Sequence, residues 1–345
     1  MAETTSLAGV HLVGSAPVEN AEEMFRLSLN HLNGHIKRLP DGEFGERDYW
    51  IRFQYARLLN SPQLMSSDEP NTYVPFSPIT AVEGVSNADE IELTNLGYAD
   101  AAIESYSVFQ NLMDKGTIPR HFRFQVGLPT PFSVASFYGH KNIRRILEEA
   151  FQLALYSELN HICGTIPHEH LAIQWETVSE FAVLEGLIEP GLEGDVMGQL
   201  TRRVAHLVDS VPTSTEAGIH LCYGDSGHKH FCEPQDAGYL AEFARGVLTY
   251  SQRPIEWIHL PVPKERDDAD YFRPLADLNI DDSTELYLGL VHTTGGIEGT
   301  ERRITAAQNH VSHFGIATEC GLARRDKDTI PELLDQQATL IEKLN

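Results

Sequence analysis

The 345-residue sequence predicts an α/β protein built as a (β/α)8 TIM barrel with inserted loops. Three observations predict it. Short apolar stretches and longer amphipathic ones alternate about eight times, as in a parallel sheet crossed by helices. The helical stretches are long enough to carry the chain back between parallel strands. The polar residues best able to do chemistry, Ser15, Glu43, Glu176, His220, Cys222, His259, His292 and Cys320, all fall where a strand is expected to end. Barrels of this kind gather functional side chains at those ends. An open doubly wound sheet would alternate in the same way, but it would not easily bring eight strand ends onto one pocket.

In chain order, residues 9–13 read as the first strand, stopped by Gly14-Ser15-Ala16-Pro17. Apolar residues at helical spacing fill 21–32, and 36–43 form a strand that stops in a Pro-Asp-Gly turn. That turn sets Asp41 beside Glu43, an arrangement that also suits a plain helix-capping acid. Residues 47–59 read as helix. From 61 to 95 repeated Pro, Ser, Asn and Asp loosen the pattern into an irregular excursion, with a small hairpin expected around 72–76. A helix over 98–115 and a strand over 122–126 come next. The strand runs into a loop at 127–132 that two prolines stiffen.

A long helix over 144–163 leads to a strand at 170–175 with Glu176 at its exit. Acid-rich turns precede a helix over 195–210. The strand 217–222 opens into an inserted loop at about 225–238 that carries His228, His230 and Cys232. Helix 239–251, strand 255–259, helix 271–278 and strand 285–291 follow, with His292 just beyond the last of these. Helix 300–313, strand 314–318 and helix 329–344 close the chain. Residues 1–345 are thus expected to be a single domain.

With 41% hydrophobic and 22% charged residues and no long uncharged apolar run, the composition is that of a soluble globular protein with a sizeable core. A net charge of -24 argues against nucleic acid and anionic membrane as partners. The N-terminus lacks the basic and apolar regions of a signal peptide. The four cysteines (Cys163, Cys222, Cys232, Cys320) then read as reduced, and a cytoplasmic setting is expected. No phosphate-cradling glycine motif is present. Oligomeric state, a homo-oligomer included, is not legible at this stage.

The chemistry concentrates in Gly218-Ile219-His220-Leu221-Cys222-Tyr223-Gly224-Asp225. Residues two apart on a strand project to one side, so His220 and Cys222 aim an imidazole and a thiol at the same point. Cys320 repeats the construction: an apolar run, a cysteine, then Gly321. Nitrogen and sulfur together suit zinc. A polar strand end with an ordinary core cysteine fits the same spacing.

These segments, with Val13-Gly14-Ser15-Ala16-Pro17, Asp41-Gly42-Glu43 and the run 314–324, resemble the C-terminal catalytic barrel of cobalamin-independent methionine synthase. More loosely, they resemble its uroporphyrinogen-decarboxylase-like superfamily. The resemblance implies a zinc site of His220, Cys222 and Cys320. It places His259 where the family has a glutamate as fourth ligand, with Glu256 as the fallback and the 228–232 loop as a further source. It implies that Ser15 and Glu43 hold a thiol substrate, that Glu176 lies near that substrate, and that His292 relays a proton. The family's pterin-stacking tryptophan aligns with Ala135, so methyl-folate is not the expected donor.

The function expected is zinc-dependent methyl or alkyl transfer to a small thiol, with a small-molecule thiol and an alkyl donor as partners. The rival is a metal-free C–S or C–C lyase or decarboxylase working through Asp41, Glu43 and His292. A barrel that binds a thiol or metal without turnover is the third reading.

Overall fold

The computed structural model describes residues 7–32, 34–70, 75–227 and 229–345. Helix α1 (Ala21–Leu32) precedes strand β1 (Arg38–Pro40) and a short α2 (Gln54–Leu59). An antiparallel pair, β2 (Leu64–Ser66) with β3 (Ile79–Ala81), forms the excursion. Then come α3 (Tyr98–Asp114), β4 (Arg123–Pro129), α4 (Pro131–Tyr138), α5 (Arg144–Thr165) and β5 (Leu171–Thr177). The chain continues through α6 (Ser179–Leu184), α7 (Val196–Asp209), β6 (Glu216–Leu221), α8 (Gly238–Tyr250) and β7 (Trp257–Pro261). It ends with α9 (Ala269–Phe272), β8 (Glu285–Val291), α10 (Gly296–Gln308), β9 (Gly315–Thr318) and α11 (Ile330–Leu344).

The architecture is α/β, with one parallel seven-stranded sheet in the order β1-β4-β5-β6-β7-β8-β9. Strands β5 and β7 are buried along their whole length, as expected where a parallel sheet is covered on both faces. The expected strand at 9–13 is a single bridge, Val10 to Ile316, because its amides are shared between the two sheet edges. Ala8 and His11 N–H donate to Phe314 and Ile316 carbonyls, while Val10 N–H donates to His35 O just before β1. Among the described residues, no helix is long and apolar enough to cross a membrane.

Two helices were not expected from the sequence. Helix α4 forms where two prolines suggested a stiff loop. Pro131 takes the first helical turn, where its missing N–H costs nothing, and the Thr130 hydroxyl accepts from Ser133 N–H. Helix α6 lies within the stretch read as turns. Conversely, 47–59 is regular α-helix only over α2, and 271–278 divides at Pro274 into α9 and a 3-10 turn. The hairpin expected around 72–76 lies largely outside the described residues.

Register is what builds the site. Glu176 pairs with His220, His220 with His259, and His259 with Tyr287, so four neighbouring strands present these side chains at one level. One level below, Gln174, Gly218, Trp257 and Glu285 align in the same way. Gly218 leaves the space that the Trp257 indole fills: a Cβ there would lie 2.1 Å from the ring.

Candidate metal centre and its cavity

His220 on β6, Cys222 just past it and Cys320 just past β9 converge, with their ligand atoms all within 4.8 Å of one another. The two sulfurs are 3.7 Å apart, and Cys320 Sγ lies 3.8 Å from His220 Nε2. A tetrahedral ion with metal–sulfur bonds of ~2.3 Å sets its sulfurs about 3.8 Å apart. The donor set and its spacing therefore fit zinc. Gly224 N–H also donates to Cys222 Sγ at 3.3 Å, support suited to a thiolate. The hydrogen bond to Cys222, reinforced by burial, holds the Cys320 thiol well above its ordinary range. Burial keeps His220 neutral, the form that binds a metal. Among the described residues, no fourth side chain joins this group.

His259, expected as the fourth ligand, is not among the converging atoms. Its Nε2 lies 3.0 Å from the Thr318 carbonyl, which can only accept, so Nε2 carries the proton. Its Nδ1 therefore accepts from His220 Nδ1–H at 2.7 Å. Burial lowers the His259 pKa to about 4, consistent with this neutral tautomer. The effect is to point the lone pair of His220 Nε2 at Cys320, the orienting arrangement common behind metal-binding histidines. Glu256, the fallback, sits before β7, bonded to Ala217 N–H and to Arg253. In the inserted loop, His228 lies outside the described residues and His230 borders the cavity 3.5 Å from Glu233. Cys232 does not reach the cluster.

The three residues form part of the wall of a cavity of about 800 Å³. Ser15, Glu43 and Glu176 border it as the sequence led us to expect, joined by Trp50, Phe137 and Arg324, which sequence reasoning missed. Ala135 is buried in α4 and does not border it; the rings on the wall come from the end of the same helix, Phe137 and Tyr138, and from other segments, Tyr49, Trp50, Phe76 and Phe231. The Glu43 and Glu176 carboxylates share space left by glycine: both reach within 3.0 Å of where a Cβ on Gly127 would stand. Gln174 Nε2 donates to Glu176 at 3.2 Å and to the Val13 carbonyl at 2.7 Å.

Burial raises the Glu176 pKa to about 7. Burial, then the charge of Glu176, raises Glu43 well above the carboxylate range. At Glu176 the folded protein therefore holds a proton that the unfolded chain releases near 4.5. Stability contributed by that proton falls as pH rises from the lower value to the higher one. Glu176→Gln should flatten this part of the melting curve between about pH 5 and 7, by up to about 3 kcal/mol. Parallel thermal melts of the two proteins check it; identical pH profiles would refute it.

Two residues with expected catalytic roles lie off the cavity wall. Asp41 is tied to Arg47 at 2.6 Å, Ser105 at 2.7 Å and Glu43 N–H at 2.9 Å, and so shapes the loop that presents Glu43. His292 donates from Nε2 to the Val262 carbonyl at 2.9 Å and faces Glu319, itself held by Arg325. Burial lowers the His292 pKa to about 4.

No family model and no curated protein sequence matches the chain. Solved structures do. A B12-independent methionine synthase from Shewanella sp. W3-18-1, in complex with selenomethionine, is 14% identical with a TM-score of 0.59, over 99% of this chain and 97% of that one. A methyltransferase from Methanosarcina mazei is 13% identical with a TM-score of 0.56, over 99% and 95%. What is shared is the fold. At such identities the likeness leaves the chemistry to be argued from the site's own residues.

Proposed function

We propose that the protein is a zinc-dependent enzyme that transfers a methyl or other alkyl group to a small thiol. One observation carries the reading: two sulfurs and one imidazole nitrogen converge, with no fourth protein ligand among the described residues, on the wall of a cavity large enough for substrate. Three protein ligands and an open position are the pattern of catalytic rather than structural zinc. The methionine synthase and methyltransferase neighbours support the reading, as does the hydrogen bonding of Ala8–His11 to both sheet edges, which we read as an eighth strand closing a barrel.

His220, Cys222 and Cys320 would hold the ion, which supplies acidity to a bound thiol that otherwise titrates near ~8.5. The chain's own groups do the rest. His259 fixes the tautomer of His220. Glu176, titrating near 7, can hold or release a proton at the cavity wall, with Gln174 fixing its direction. The rings of Trp50 and Phe137 exclude water from the alkyl donor, for which methyl-folate is not our choice. Asp41 and His292 receive no proton-transfer role.

The Glu43–Glu176 pair also favours a second reading, acid–base lyase chemistry in the same cavity. Metal analysis of the untagged protein separates the two. Thiol activation requires about one zinc per chain, as for any mononuclear site. Metal-free protein that remains folded would favour the lyase.

A further inference from the structure

We propose that Arg324 selects a thiol substrate carrying an oxyanion headgroup, with Ser15 as its neighbour in that contact. The inference rests on the thiol reading above and adds the chemistry of the other end of the substrate. Arg324 borders the cavity together with Cys320 and Ser15. Its guanidinium lies 4.6 Å above the Tyr49 ring, and its Nη1 reaches Ser15 Oγ at 3.4 Å. Its Nε is buried without a hydrogen-bond partner. Among the described residues, no carboxylate lies within ion-pair distance of it, although its charge acts on Glu43 and Glu176 and favours their ionised forms.

That is unusual in this chain. Acidic residues outnumber basic ones 50 to 26. The other arginines deep in the fold are committed: Arg38 to Glu216 and Glu285, Arg47 to Asp41, Arg253 to Glu256 and Arg325 to Glu319, while Arg303 is satisfied by the Leu290 and Lys264 carbonyls and the Thr300 hydroxyl. Leaving a half-buried guanidinium with no direct carboxylate partner and an unbonded Nε beside a cavity costs stability, and a ligand oxyanion would recover it. The planar fork is suited to two oxygens at once, and stacking on Tyr49 holds it in place. Ser15 is packed so closely on Gly321 that a Cβ there would lie 2.1 Å from its hydroxyl. Ser15 thus packs on the residue that follows Cys320, so the anion contact and the metal-site sulfur border one cavity.

Carboxylate and sulfonate share this chemistry, and the test separates them. Calorimetry on the zinc-loaded protein would compare 3-mercaptopropionate, 2-mercaptoethanesulfonate and uncharged 2-mercaptoethanol. At least one anionic thiol should bind roughly tenfold or more tightly than the neutral one. Arg324→Gln should erase that preference while leaving zinc content and 2-mercaptoethanol affinity unchanged. Arg324→Lys, which keeps the charge but not the fork, should retain part of it. Equal binding of all three thiols, or a preference that survives Arg324→Gln, would overturn the assignment and leave thiol activation standing. If no thiol binds zinc-loaded protein, the thiol reading fails instead. Arg324 is then judged on propionate and ethanesulfonate alone: binding lost in Arg324→Gln upholds its role, and no binding to wild type overturns it.

Discussion

Cys320→Ser and His220→Ala should each purify with less than about a tenth of the zinc of the wild type and should lose thiol alkylation with it. Each removes one of the three ligand atoms that converge among the described residues, and a two-ligand remnant cannot hold the ion against buffer. The graded case is His259→Ala, which leaves all three ligands in place. It deletes the acceptor for His220 Nδ1–H, 2.7 Å away, and frees the Thr318 carbonyl. Loss of such an orienting partner typically weakens metal binding about 10- to 100-fold. His259→Gln, whose amide oxygen can accept the same proton, should recover part of that loss. Competition with a chromophoric chelator measures all four variants. If His259→Ala binds zinc as tightly as the wild type, the orienting role is wrong. If it fails as completely as Cys320→Ser, His259 is a ligand after all.

His259 also shows where sequence reading stopped. That β6 would aim His220 and Cys222 at one point follows from the two-residue period of a strand, and Cys320 from the same construction. Both were legible. Whether a third strand-end histidine ligates or orients depends on strand register, which brings His259 level with His220 and their ring nitrogens into hydrogen-bonding contact. No local pattern encodes that. Much the same holds for the cavity wall: Trp50 and Arg324 are brought there by loops, and nothing in their neighbourhood announces it. Helix α4 was hidden because Pro131 reads as a breaker unless its place in the first turn is known. Asp41 is the opposite case. Its turn motif was plain, but nothing local to it tells that Arg47 and Ser105 tie it down off the cavity wall.

Gly218→Ala should be the most destabilising single-methyl change near the site. The added Cβ would stand 2.1 Å, 2.2 Å and 2.6 Å from three atoms of the Trp257 ring. The ring has nowhere to go. Its N–H donates to Gln174 Oε1 at 3.3 Å, and the Arg38 guanidinium lies 4.1 Å from its centre. Arg38 is itself fixed by Glu216 at 2.7 Å and Glu285 at 2.8 Å. Relief therefore requires moving β6 or β7, at the upper end of overpacking costs, about 3 kcal/mol. Moving β6 would also displace His220, two residues along, so zinc affinity should fall together with stability. Gly164→Ala, in helix α5 with nothing within 4 Å of the new methyl, is the control. It should be neutral or stabilise by up to about 1 kcal/mol. Shrinking the ring in the double variant Gly218→Ala/Trp257→Leu should cost less than the two single changes added together, since both act on one packed contact. Denaturant melts of the wild type, the two single variants, the double variant and the Gly164→Ala control decide the matter. Additive losses, or a Gly218→Ala variant as stable as the wild type, would mean that the indole is not held where the register of β6 and β7 puts it.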